Sequence, residues 1–326
     1  MGELTNRYKR VSDWVYYFGV TPLLAVLPKK TGYSLARRRA RSIRKANPVY
    51  RQEVTRNISL ALDDELWSAL AKAEIADRTF EAVAAEDLES FYLPFWNEDN
   101  IDRFYTFEGL EKIDRARSMR RGALLFTGNV GSLSSALVAL GVRGYQCNHL
   151  SRDWFRGEGN LHPACLAHRR FKLKWMKKRI GRDPIYMDPD PEATPSPIVE
   201  ANRFLTQNEI VSIPLDVPPE GAEETAKIEF LGRQCLFSTS LVRIAYESKA
   251  PVLPLFTLRS PKELWSQRVV VDDPITMTGR VEEDLQNCCD RLADMVLVHP
   301  DQWHNWDKLN AFWTDPPAPA VAASAA

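Results

Sequence analysis

Up to about residue 110, apolar positions recur at three- and four-residue intervals, the spacing that gives a helix one apolar stripe. The clearest stretch is ALDDELWSALAKAEIADRTFEAVAAEDLESFYLPFW, from Ala61 to Trp96, with Pro94 marking an end. Beyond it the pattern changes. Short apolar runs appear: ALLFTG (123–128), YQCNHL (145–150), PIYM (184–187), IVSIPL (210–215), VLPLF (252–256) and QRVVV (267–271). Between them lie helix-like segments: SSALVALG, the basic stretch around Lys172, PSPIVEANRFLTQ and STSLVRIAYESK. Strands alternating with helices predict an α/β fold, a mostly parallel mixed sheet flanked by helices, after an N-terminal helical segment. The expected division is a helical segment over 1–110, an α/β core over 111–313 and a Pro/Ala tail over 314–326. In such sheets the ligand crevice lies beyond the carboxyl ends of the strands. Those ends supply Asn129, His149 to Arg152, Asp188, Asp216 and Arg259.

Composition refines this picture in three places. The 43 basic and 43 acidic side chains cancel, but the charge is segregated. One run, RRRARSIRK, covers Arg37 to Lys45; a second, His168 to Arg182, interleaves Phe171, Trp175 and Met176 with basic residues. Such fields suit an anionic partner. No helix-turn-helix, zinc-finger or RNA-recognition pattern accompanies them, so nucleic acid is not expected. The five cysteines are odd in number, two are adjacent, and no CxxC pair exists. A reduced cytosolic environment follows, with neither a disulfide framework nor a zinc site. The most apolar stretch, WVYYFGVTPLLAVLP from Trp14 to Pro28, is broken by Pro22 and falls short of the ~20 residues a spanning helix needs. It suits either an interfacial helix or a core-packing helix pair. No signal-peptide cleavage site follows it.

Several chemical readings fail on the residues. GNVGS lacks the Lys-Ser/Thr of a P-loop and the third Gly of a dinucleotide fingerprint. Ser132 lacks the second Gly of a nucleophile elbow. His162 and His168 flank Cys165 without a completing ligand, so no metal site is expected. Trp303, Trp306 and Trp313 read as packing aromatics that close the domain.

The segment RGALLFTGNVGSLSSALVAL, then EIVSIPLDVPPEG, then FLGRQCLFSTSLVRIAYESKAPVLPLFTLR resembles the late lipid A biosynthesis acyltransferase family, within the lysophospholipid acyltransferase-like superfamily. So does VEEDLQNCCDRLADMVLVHPDQWHNW, standing where that family shows a helix and then P-E-Q-W/Y-x-W. The resemblance covers roughly residues 120 to 313. It implies an enzyme on the cytoplasmic face of the inner membrane, peripherally bound, with no bound cofactor. The donor would be an acyl thioester, on acyl carrier protein phosphopantetheine or CoA, and the acceptor a hydroxyl or amine.

The departure lies in the family's His-x4-Asp/Glu motif, whose His falls on Asn129 and whose acid falls on Ser134. An amide has no useful basicity near neutral pH, so Asn129 cannot take a proton. Three readings stay open. A rebuilt site would use His149 or Asp216 as base, with Asp153 nearby and Arg152 beside a thioester oxygen or phosphate. An amine acceptor would need only oxyanion donors, from Asn129, Ser132 and backbone N–H groups. A catalytically inactive homologue would keep the fold to bind an acyl chain, a carrier protein or a partner enzyme. Arg170, Lys174 and Arg259 are the expected substrate-binding cations, the first two facing an acidic carrier protein or an anionic membrane surface. The family's terminal His-Arg-Arg element is replaced by DKLNAF, which argues against the lipid A precursor as acceptor.

Overall fold

A computed structural model of the protein describes residues 11–45, 48–151, 163–187, 196–220, 222 and 224–315. The N-terminal run is helical in three pieces: α1 (Val11–Val15), a π turn (Tyr16–Val20) and α2 (Thr21–Val26). Pro22 has no N–H to return to the preceding turn, and the widened π turn sits where that bond is lost. Tyr16 and Leu24 are buried, while Trp14, Phe18, Leu23 and Val26 are exposed. Helices α3 (Lys29–Lys45), α4 (Pro48–Ala61) and α5 (Ala69–Glu89) follow. The helix expected from Ala61 starts only at Ala69, where the Ser68 side chain accepts the Ala71 N–H at 3.2 Å and caps it. It ends at Glu89, before Pro94.

The core is a seven-stranded sheet in the order β1-β9-β8-β2-β5-β3-β4. Its strands are β1 (Tyr105–Glu108), β2 (Ala123–Thr127), β3 (Cys147–Ser151), β4 (Ile185–Tyr186), β5 (Ile210–Pro214), β8 (Val252–Arg259) and β9 (Gln267–Val271). From β8 to β4 the strands run parallel. Strand β9 is antiparallel to β8, and β1 runs parallel to β9. The mostly parallel mixed sheet is the expected one, and each of the six apolar runs overlaps a strand. Strand β1 was not expected; it sits within the stretch that reads as helical and belongs to the sheet. A separate hairpin, β6 (Thr225–Phe230) and β7 (Arg233–Ser238), was also not expected.

Two helical layers cover the sheet. On one face, α7 (Leu133–Val142) and α8 (Pro163–Ile180) pack over Leu125, Cys147 and Leu253. On the other, α9 (Pro197–Thr206), α10 (Ser240–Ser248) and α11 (Val281–Val298) pack over Phe126, Ile213 and Phe256. Helix α6 (Leu110–Ser118) joins β1 to β2. Helix α5 touches both layers: Ile75 and Ala76 join the second, Ala85 and Leu88 the first. Its 21 residues, at 1.5 Å each, span roughly 31 Å. The closing segment fills the second layer with Trp303, Trp306 and Trp313, the packing role expected of them.

All five cysteines are buried and none forms a disulfide. Burial pushes the Cys147, Cys235 and Cys288 thiols up to about 12, so none is a thiolate near neutral pH. Among the described residues no helix is long and apolar enough to cross a membrane, and no cluster of His, Cys, Asp or Glu could hold a metal ion.

Candidate active site

Strand β2 leads through Gly128–Ser132 into α7, and this turn is built for close approach. Gly131 has φ +63°, and a Cβ there would lie 2.1 Å from the Thr257 carbonyl oxygen. Only glycine fits such a position. The tightness lets the closing segment pair with the turn. Gly131 N–H donates to Gln302 O at 2.8 Å, and His304 N–H donates to Asn129 O at 2.8 Å. Val130 and Trp303 form the antiparallel bridge between them. His304 thereby stands opposite Asn129 on a two-stranded ribbon at the carboxyl edge of the sheet.

Asp216, two residues past β5, anchors this ribbon. Its Oδ2 accepts Asn129 N–H at 2.9 Å, Trp303 Nε1–H at 2.7 Å and Asn305 Nδ2–H at 3.0 Å. Its Oδ1 accepts Asn129 Nδ2–H at 2.8 Å. The residue is 0% exposed. Burial raises its pKa above the ordinary carboxylate value, while the hydrogen bonds from Asn129 and Trp303 pull it down. A carboxylate enclosed by four donors is a structural anchor, which corrects the expectation of Asp216 as base. Asn129 is correspondingly fixed rather than free to turn.

A titratable pair lies beside it. His304 Nδ1 is 3.6 Å from Glu86 Oε2, and Glu86 Oε1 takes an ion pair from Lys172 at 2.5 Å. Burial alone would raise the Glu86 pKa, but Lys172 and His304 outweigh it and leave the group below its ordinary value. For His304, burial holds the pKa below that of free imidazole against the pull of Glu86. Arg259, Lys172 and Lys308 push in the same direction as burial. A carboxylate facing a neutral imidazole results. The other ring nitrogen, Nε2, is buried and has no hydrogen-bond partner among the described residues.

A cleft of about 570 Å³ opens next to the ribbon, with Gly131 and Gln302 among its lining residues. Arg37, Arg41, Arg78 and Glu81 contribute mixed charge to it. Arg37 pairs with Glu81 at 2.7 Å, and Arg78 pairs with Asp301 at 3.8 Å. Arg259 also borders the cleft; its Nη1 is engaged inward, while its buried Nε has no hydrogen-bond partner among the described residues. It donates to Glu89 and, at 2.5 Å, to Leu264 O. Burial disfavours its charge, yet Glu89 outweighs that and holds its pKa above the ordinary value. Arg259, expected as a substrate-binding cation, is thus a lining residue of the cleft whose Nη1 is held by Glu89 and the Leu264 carbonyl.

The remaining expected residues separate. His149 lies within β3, opposite Ser212 of β5, and its Nδ1 meets Ser212 Oγ at 2.9 Å. Asp216 lies four residues farther along, roughly 13 Å at strand rise. Burial lowers the His149 pKa to about 4. His149 is thus a neutral side chain packed under α8 and does not converge on Asn129, which corrects its assignment as base. Ser132 immediately precedes α7; it is fully buried, and its Oγ has no partner among the described residues. Ser134, in the first turn of α7, is half-buried. Arg170 and Lys174 are exposed on α8. Arg152, Asp153 and Asp188 lie outside the described residues. Sequence reasoning missed His304 and Glu86. The available signal was a histidine inside the retained closing segment, next to Trp303.

Residues 4–153 match the family model described as bacterial lipid A biosynthesis acyltransferase, the family that the motifs resemble. The match includes the N-terminal helices as well as β2, Asn129 and Ser134. No curated protein matches the chain. Among solved structures, the chain is similar to the 1-acyl-sn-glycerophosphate (LPA) acyltransferase PlsC from Thermotoga maritima. The two are 15% identical over 81% of this chain and 94% of that one, with a TM-score of 0.33.

Proposed function

We propose that this chain, kin to the bacterial lipid A biosynthesis acyltransferases over residues 4–153, moves an acyl group from a thioester to a hydroxyl or amine acceptor. The observation that carries the reading is the ribbon of Asn129–Gly131 and Gln302–His304. It brings the family-matched turn, a neutral imidazole and a charged cleft to the carboxyl edge of one parallel sheet, where ligands of such sheets bind. The thioester is carried by acyl carrier protein or CoA. The mixed charge of the cleft suits a polar acceptor or the donor's phosphate-bearing arm better than an acyl chain.

The protein works at an anionic membrane surface on the cytoplasmic side. Exposed Trp14, Phe18, Leu23 and Val26 supply apolar insertion. Exposed Arg38 and Arg39 on α3, with Arg170 and Lys174 on α8, supply attraction to head groups. The two features adjoin, because Tyr17 stacks on His168 of α8 with ring centroids 4.6 Å apart.

A second reading, an inactive homologue that only binds, is favoured by one observation: the Asn129 amide is tied to Asp216. Intact-mass analysis separates the two. Acyl carrier protein charged with different acyl groups is incubated with the protein, candidate acceptors and lipid extract. Loss of the thioester with a matching mass gain on an acceptor is expected. Stable carrier binding with no thioester loss from any donor would establish the binding-only reading.

A further inference from the structure

We propose that His304 is the general base of this transfer and that Glu86 is the residue that positions it. The assignment rests on the acyl-transfer reading above and names its chemistry. It starts from an imbalance in the polar groups at the sheet edge. Buried polar atoms are nearly always hydrogen-bonded, and an exception calls for an explanation. His304 Nε2 is such an exception among the described residues, while Nδ1 of the same ring faces Glu86 Oε2 at 3.6 Å. A carboxylate on one ring nitrogen favours the tautomer that carries its proton there. The lone pair is then on the other nitrogen, which is the form a base needs.

The surroundings hold that state. Lys172 sits on Glu86 at 2.5 Å and keeps it ionised. The His304 backbone is clamped to Asn129 O at 2.8 Å, and its neighbour Trp303 is clamped through Nε1 to Asp216 at 2.7 Å. The ring is therefore carried on a fixed backbone, two residues from Gln302 in the cleft lining. Ser132, with its own unpartnered buried Oγ, directly follows Gly131 of the facing strand. By comparison, His149 has a partner on its Nδ1 and lies under α8, and Asp216 is fully buried with both carboxylate oxygens already accepting.

The step balances simply. Nε2 takes the proton of the acceptor O–H or N–H as that atom bonds to the thioester carbonyl carbon. The tetrahedral adduct collapses, the C–S bond breaks, and the departing thiolate receives the proton from Nε2–H. The products are an ester or amide and a free thiol, and the imidazole is neutral again. Glu86 steadies the transient imidazolium without changing its own protonation.

Two measurements on the full chain test this. In the first, palmitoyl-CoA is supplied with a hydroxyl and an amine acceptor (a monoacylglycerol and ethanolamine), and CoA release is followed with a thiol reagent. His304→Gln and His304→Ala should lose about 10²- to 10⁴-fold in kcat, with melting temperatures close to wild type. Added imidazole should restore part of the His304→Ala rate. Wild-type kcat/KM should fall on acidification, with a limb below the ordinary imidazole pKa of about 6.5. In Glu86→Gln the plateau should drop by up to about 10⁴-fold, as when a base loses its tautomer. The limb should also move to lower pH, because Glu86 raises the pKa of a ring that Arg259, Lys172 and Lys308 lower. A merely structural role for Glu86 would leave the limb in place. In the second measurement, nitrogen NMR of His304 at pH 7 should show an Nδ1–H tautomer with Nε2 unprotonated. The Nε2–H tautomer or an imidazolium at that pH overturns the assignment. Wild-type turnover retained in His304→Ala overturns it too, while leaving acyl transfer standing. A wild type that releases no CoA, and no thiol from charged carrier protein, removes both.

Discussion

Replacing Asp216 separates two roles that the sequence leaves entangled. In Asp216→Ala, Trp303 Nε1–H and the Asn129 N–H lose the acceptor they have in the structure, at 2.7 and 2.9 Å. Asn305 Nδ2–H keeps the Asp216 main-chain oxygen at 2.7 Å. Asn129 Nδ2–H loses its 2.8 Å partner as well, but on a half-buried side chain that can turn to water, so two donors are stranded in or near the core, at about 1–3 kcal/mol each. Removing a costly buried charge returns some of that, and the small void adds to the loss. The expected net is a destabilisation of about 3–5 kcal/mol, in the range found when one partner of a buried charged network is removed. At about 2–4 °C per kcal/mol for a large domain, the melting temperature should fall by roughly 6–20 °C. Asp216→Asn should be milder, under about 2 kcal/mol. Its amide oxygen can take the three donors now on Oδ2, and Asn129 can turn its own amide to meet the new NH2. Urea unfolding of the three proteins, run beside thioester turnover, is the assay. An Ala variant within about 1 kcal/mol of wild type refutes the anchoring argument. An Asn variant with wild-type stability and no turnover would return Asp216 to the role of base.

Three further outcomes are expected. Burial raises the Asp87 pKa to about 7, with Glu86 adding to it, and burial lowers that of His168 to about 4. Asp87 adds stability that is lost as pH rises from about 4 to 7, whereas His168 adds stability that is lost as pH falls from about 6.5 to 4. The two slopes oppose each other, so thermal melts of Asp87→Asn should weaken on acidification and those of His168→Phe should strengthen; identical profiles would count against both. Gly131→Ala should cost at least about 1–3 kcal/mol from its backbone conformation and more from Thr257 O. Gly144→Ala, also at positive φ but with nothing within 4 Å, should lie at the low end of that range in urea unfolding. Arg170→Glu with Lys174→Glu should weaken sedimentation with phosphatidylglycerol vesicles, at about 1 kcal/mol per basic residue removed.

The sheet was legible because its central strands β2, β5 and β8 are buried on both faces and read as largely apolar runs. Strand β1 has four residues, Tyr105–Glu108, only partly buried, and lies between helices whose periodicity masks it. Hairpin β6–β7 was hidden differently: Thr225–Phe230 alternates exposed and buried positions, a period-two signal that falls in the gap between the motif segments ending at Gly221 and starting at Phe230. Asn129 and Asp216 were identifiable as strand ends, but their partnership was not, since 87 residues separate them. His149 was misplaced because the direction of a strand side chain depends on register, and register sets it against Ser212. His304 escaped because it reaches the sheet edge by an antiparallel bridge rather than by ending a strand.

The closing segment also fixes when the site comes into being. Trp306 O accepts Asn57 Nδ2–H across 249 positions of sequence, and Asn310 reaches Glu53 across 257. Phe312 O accepts Leu236 N–H, and Thr314 N–H donates to Gln234 O. Contacts of such separation close large loops and form late in folding. The central parallel strands can associate before this happens, but His304 cannot meet Glu86, nor Trp303 meet Asp216, until the segment docks. Competence is therefore the last property the molecule acquires as it folds. It would also be the first lost if the segment peeled away, so the onset of activity in a refolding experiment should lag behind the recovery of sheet structure.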